Sequence, residues 1–79
     1  MIRQYVEAAL RRAHYEKLGD GTFYGEVRRL RGVLATGPSL EGCRDQLAEA
    51  VEEWVLVRVA RGLKVPALGK LVVRVKQAS

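Results

Sequence analysis

The chain is poor in the residues that carry reactive chemistry. Among its 79 residues there is one cysteine, Cys43, and one histidine, His14. A lone cysteine permits no internal disulfide and no cysteine-based metal cluster, and at an apolar helix position it reads as a small hydrophobe. One His and one Cys are too few ligands for a metal site, and no cofactor is expected. His14 falls near the surface of a strand, where it reads as a solvated or packing residue and not as a base holding a nucleophile. The glycines at 19, 21, 25 and 32 form no phosphate-cradling loop between a strand and a helix. Gly37-Pro38-Ser39 does precede a helix N-terminus, but without further glycines. Two-metal hydrolysis needs converging carboxylates. Glu16, Glu26 and Glu49 qualify by count alone, and Glu49 belongs to a solvent face. The chain therefore reads as no enzyme, with no catalytic residue to nominate.

Long apolar runs are missing as well. No segment approaches the roughly 18 to 20 apolar residues of a membrane span. Met1 to Ala13 carries arginines on both sides of its apolar residues and has no uninterrupted apolar run, so it does not read as a signal peptide. There is no internal repeat and no low-complexity tract. With no disulfide or metal, a core of this size yields little net stability, so self-association is the expected supplement. A reducing cytoplasm is the expected compartment.

The charge is uneven. The net +5 divides into 7 basic and 4 acidic groups over residues 1–38, 3 and 5 over 39–61, and 4 and none over 62–79. That is no continuous basic stripe of the kind nucleic acid selects.

The chain reads as one domain, 1–79, of class α+β. Ile2, Tyr5, Val6, Ala9, Leu10 and Ala13 form one apolar stripe, predicting a helix over 1–12 with Arg11 and Arg12 in its last turn. A period of two follows, predicting a strand over 13–18 with His14, Glu16 and Leu18 on one side. Gly19-Asp20-Gly21 offers the positive-φ residues of a short hairpin loop. The return strand, 22–29, puts Phe23, Gly25 and Val27 on one face and Tyr24, Glu26 and Arg28 on the other. Gly25 marks a bulge or a close approach. Leu30-Arg31-Gly32 turns into a third strand over 33–36.

Ser39 reads as the N-cap of a helix over 39–61. Gly42 stands where a capping box would want an acid, so Glu41 serves the dipole instead. Leu40, Cys43, Leu47, Ala50, Val51 and Trp54 are expected on its buried side, with Gly62 closing it as the C′ residue. Past Trp54 the residues Val55, Leu56, Val57 and Val59 cover nearly the whole circumference. A helix end that is apolar all round has more than one neighbour, so Trp54, Leu56 and Val59 are the expected oligomer contact. Val65-Pro66 predicts an extended connector, and 70–76 a final strand returning by a helical crossover beside the first. The expectation is one four-stranded mixed sheet in order 3-2-1-4 with the long helix on one face.

Arg28, Arg29 and Arg31 gather near Tyr24 at the tip of the second strand. Arginine beside an aromatic can clamp phosphates, stack on bases or dock an acidic protein surface. A small basic RNA- or DNA-binding protein is the alternative reading that these residues keep open.

Taken together, the motifs resemble those of the HicB-like antitoxin family. The run is Gly21-Thr22-Phe23-Tyr24-Gly25-Glu26-Val27, then Arg28-Arg29-Leu30-Arg31-Gly32, then Val33-Leu34-Ala35-Thr36-Gly37. Ser39-Leu40-Glu41 follows, with Ala48 to Trp54 in the helix, Gly62 at its end and Pro66 close behind. The resemblance implies a β-β-β-α-β domain like a degraded RNase H fold with its nuclease carboxylates lost. It also implies a non-catalytic partner of a HicA-type, mRNA-cleaving toxin, assembling as dimers or tetramers. On that reading Tyr24, Glu26, Arg28, Arg29 and Arg31 form the partner surface. Three departures stand out. The family's Pro-x-Leu-Pro-Gly turn is here Arg28-Arg29-Leu30-Arg31-Gly32. A helix precedes the first strand, as in short stand-alone members. The sequence also leaves no room after the domain for an operator-binding segment, so DNA autoregulation is not expected.

Overall fold

A computed structural model describes residues 2–68. The order of elements is α1 (Ile2–Arg11), β1 (His14–Lys17), β2 (Phe23–Glu26), β3 (Leu34–Gly37) and α2 (Leu40–Ala60). The three strands form one antiparallel sheet, with β2 in the middle. In register, Tyr15 faces Gly25, Glu16 faces Tyr24 and His14 faces Glu26; on the other side Gly25 faces Ala35. This corrects the expected four-stranded mixed sheet of order 3-2-1-4. The expected strand over 70–76 lies outside the described residues. After α2 the described chain acts as a plug: Val65 and Leu68 are buried in the core. The Tyr5 hydroxyl donates to the Pro66 carbonyl at 2.5 Å, tying this connector to α1 across 61 positions.

Both turns have identifiable causes. At the first, Gly21 N–H donates to Leu18 O at 3.0 Å and Leu18 N–H to Thr22 O at 2.8 Å. Gly21 has φ +88°, and Asp20 Oδ1 accepts from Thr22 N–H at 3.0 Å. A three-residue loop of this kind needs one positive-φ residue at its end, and glycine supplies it. The second turn is tighter than an alternating pattern predicts. Leu30 N–H donates to Val27 O, Val33 N–H to Leu30 O and Val27 N–H to Val33 O, at 2.9, 3.1 and 3.2 Å. The chain thus curls inward after Glu26, so Arg28 and Arg29 leave the strand. Leu30, which reads as a turn residue, is instead 1% exposed.

One face of the sheet packs against α2. Ser39 is the N-cap, its Oγ accepting from Gly42 N–H at 3.0 Å. At the other end Leu63 N–H donates to Arg58 O and Gly62 N–H to Val59 O, with Gly62 at φ +69°. These are the paired bonds of a Schellman motif. The fully buried residues of α2 are Cys43, Leu47, Val51 and Val55. Leu40, expected inside, is 48% exposed in the first turn, and Ala50 and Trp54 are half-buried. A stripe spaced by four advances about 400° per step, so it drifts around the helix and arrives at Val55 instead of Trp54. Tyr5 and Ala9 of α1 complete the core with Val27, Leu30, Val33 and Ala35. Gly25 is a close-approach position: a Cβ there would meet the Tyr15 ring at 3.0 Å and Cys43 Sγ at 3.2 Å.

Candidate interaction surfaces

Two surfaces stand out, one on the open face of the sheet and one at the far end of α2. An antiparallel sheet covered on one side leaves alternate side chains to solvent on the other. Here those are His14 and Glu16 from β1, Tyr24 and Glu26 from β2, and Leu34 and Thr36 from β3. His14, Tyr15, Glu16, Tyr24, Glu26 and Arg28 line a shallow groove of about 180 Å³. Glu26 is its hub. Its carboxylate accepts from the Tyr24 hydroxyl at 3.1 Å and from Arg28 Nε at 3.3 Å. Loss of hydration pushes the Tyr24 phenol up, and the bond to Glu26 with the charges of Glu26 and Glu16 pushes it further. The Arg28 side chain is 72% exposed, so this ion pair orients more than it stabilises.

The three turn arginines do not act as one cluster. Arg28 lies over the sheet face with Glu26, whereas the charge of Arg29 acts on the Tyr5 phenol, on the side of α1 and the connector. Arg31 is exposed at the tip of the turn, one residue before Gly32 at φ +84°. Burial of Leu30 between them separates Arg29 and Arg31 from the core and turns both outward. His14 and Glu16 were missed as groove residues, although strand alternation and hairpin pairing together placed them opposite Glu26 and Tyr24.

The second surface is an apolar shelf of about 400 Å³ lined by Ala50, Glu53, Trp54, Val57, Arg58, Arg61 and Leu63. The Arg58 guanidinium stacks 4.7 Å from the Trp54 ring and its Nε donates to Lys64 O at 2.6 Å. Val57 is 45% exposed and Leu63 42%. Of the residues expected here, Trp54 lies on the shelf, whereas Leu56, 47% exposed, stands about 160° away around the helix and Val59 is half-buried against the core. Val57 and Leu63 are additions. The spacing Ala50, Trp54, Val57, Arg61 is itself helical and was available in the sequence.

Cys43 is buried, its Sγ 3.7 Å from Ala35 O, and burial pushes the thiol up. The Tyr15 hydroxyl is buried with no hydrogen-bond partner among the described residues. Among the described residues no three of His, Cys, Asp and Glu come together as a metal-binding group, and no helix is long and apolar enough to cross a membrane.

Comparison with known proteins finds a family and a solved structure to which the chain is similar. The profile of the UPF0150-like family matches residues 4–66. The crystal structure of TTHA0281 from Thermus thermophilus is similar at a TM-score of 0.88 and 39% identity, over 96% of this chain and 95% of that one. No curated protein matches.

Proposed function

The chain belongs to the UPF0150-like family, and from that premise we propose that it is a non-catalytic antitoxin-type protein that binds and masks a HicA-type, mRNA-cleaving toxin. The UPF0150-like match over residues 4–66, together with the resemblance of the Gly21–Gly37 run and the capped helix to HicB-like antitoxins, supports that reading. The partner docks on the open sheet face and its turn, through Tyr24, Glu26, Arg28 and Arg31, with Arg29 at the margin that faces α1. The groove between the strands supports this chemically. It holds two carboxylates, Glu16 and Glu26, against one guanidinium, Arg28, and an RNA-cleaving toxin presents cationic side chains. Tyr24 supplies a flat aromatic anchor of the kind that dominates protein interfaces. Self-association, as a dimer or tetramer, uses the C-terminal half of α2, where Trp54, Leu56 and Val59 lie.

The same carboxylates argue against the alternative, nucleic-acid binding by Arg28, Arg29 and Arg31, because they repel phosphate at the point where Arg28 would contact it. Co-purification with a small HicA-type toxin tests the reading. Replacing Glu26 by lysine abolishes capture. Unaltered capture moves the site elsewhere. Binding of an RNA oligonucleotide that weakens by orders of magnitude between about 50 and 200 mM salt would favour the alternative.

A further inference from the structure

The open sheet face changes character from strand to strand. β1 and β2 bring its ionisable groups, His14, Glu16 and Glu26, with Tyr24 among them. Two carboxylates against the one guanidinium of Arg28 make that end acidic. β3 brings Leu34 and Thr36, which carry no charge. Leu34 is 53% exposed, the highest value for a large apolar side chain among the described residues. A solvated sheet face is ordinarily polar, and a single exposed leucine means little. Leu34 is not single. It stands diagonal to Tyr24 across the β2–β3 pair, a separation of about 7–8 Å that an aromatic side chain spans.

The geometry points to a two-ended docking site that reaches beyond the groove. The toxin sets a basic side chain between Glu16 and Glu26 and an apolar side chain on Leu34, beside Tyr24. Adjacent strands lie about 4.8 Å apart, so the two ends are about 10 Å from each other across the sheet. Glu16 and Leu34 are then the specificity-determining residues, one at each end. They act at different stages. Glu16 is exposed at the rim, where charge steers encounter and rejects an acidic surface. Leu34 and Tyr24 lose their contact with water only once the partner is seated, so they hold the complex together. This rests on the reading that the sheet face takes the toxin, and adds the two residues that fix which way round the toxin lies.

The test passes the full chain over an immobilised HicA-type toxin and reads association and dissociation rates at about 50 and 300 mM salt. Glu16→Gln slows association by about three- to tenfold at the lower salt, and the deficit shrinks at the higher as screening rises. Its dissociation rate stays within about twofold of wild type. Leu34→Ala does the reverse. Dissociation quickens by about five- to tenfold at both salt concentrations, and association is unchanged. Leu34→Met keeps the apolar bulk and stays within about twofold of wild type. Leu40→Ala, at a leucine that is 48% exposed but belongs to α2, leaves both rates as they are. Thermal melts establish that each variant is folded at the assay temperature. Unchanged dissociation in Leu34→Ala overturns the inference, as does a Glu16→Gln effect that is absent or independent of salt. An equal loss in Leu40→Ala overturns it too. In each of these cases capture by wild type keeps the toxin reading standing, whereas a wild type that captures no toxin ends both.

Discussion

Substituting Gly37 by alanine probes how closely β3 lies on α2. A Cβ at Gly37 would sit 2.6 Å from the backbone nitrogen of Cys43, 3.0 Å from its Cα and 3.0 Å from the Gly42 carbonyl carbon. These atoms belong to the first turn of the helix, so no rotamer change relieves the contact. Gly37 has no positive φ, and the penalty is therefore steric alone. Restoring the 3.4 Å of an ordinary contact requires strand and helix to part by about 0.8 Å along the most extensive packing in the fold. Overpacking of this kind costs about 1–3 kcal/mol, a large share of the roughly 4–12 kcal/mol that holds a domain of this length together. At about 2 kcal/mol the melting temperature falls by roughly 8–16 °C. Gly19→Ala is the control, because nothing lies within 4 Å of its added methyl and its φ is not positive. It is neutral or stabilises by up to about 1 kcal/mol through the unfolded chain. Urea and thermal melts followed by Trp54 fluorescence, at one protein concentration, measure both. A Gly37→Ala protein melting within about 2 °C of wild type would refute the close approach of β3 to the helix.

The remaining predictions concern buried groups. Leu30→Ala lowers stability by about 2–5 kcal/mol, whereas Arg31→Ala changes it by less than about 0.5 kcal/mol. Urea midpoints decide, and equal effects would return Leu30 to the surface. Tyr15→Phe removes a buried hydroxyl that has no partner among the described residues and raises stability by about 1 kcal/mol; a loss would reveal a bond to that hydroxyl. The same groups set the alkaline limit. Burial pushes the Tyr5 and Tyr15 phenols above 10.0 and the Cys43 thiol above 9.0, while Arg29 and Arg58 pull Tyr5 partly back. The unfolded chain releases these protons first, so stability is level below about pH 9 and declines as pH rises through the folded values. Urea midpoints between pH 7 and pH 11 that stay level, or a Tyr15→Phe protein with an undiminished decline, would contradict that assignment.

What the sequence makes legible here follows from how local each cause is. Ser39 and Gly62 bracket α2 because capping satisfies orphaned backbone groups within one turn, and the residues that do so are visible in a window of four. The hairpin at Gly19-Asp20-Gly21 is equally local. Gly25 stood out for the same reason, since a strand tolerates glycine poorly unless something presses on it, and the Tyr15 ring does. Leu30 is the opposite case. Its neighbours Arg28, Arg29 and Arg31 spell an exposed turn, and only the inward curl between Val27 and Val33 carries the leucine beneath them. That curl also separates Arg28 from Arg29, so a cluster in sequence is two directions in space. The sheet failed on non-local grounds as well. Among the described residues the sheet has three antiparallel strands, and Val65 and Leu68 bring the connector after α2 into the core, where Tyr5 holds it from the far end of the chain.

The end of α2 shows the limit most directly. When a helix is apolar on every side, periodicity no longer selects a face, and Trp54, Leu56, Val57 and Val59 are equal candidates on the wheel. Packing half-buries Trp54 and Val59 against the core and leaves Leu56 and Val57 exposed, and the Schellman turn adds Leu63 on the Trp54 side. Charge then separates the two flanks that remain. On the Leu56 flank the ionisable residue four positions back is Glu52, an anion with no cation on the same ridge. On the Trp54 flank Glu53 and Arg61 bracket Val57. Exposed carbon at Val57 and Leu63 thus lies beside charge at Glu53 and Arg61, a combination that hydrophobic periodicity does not select.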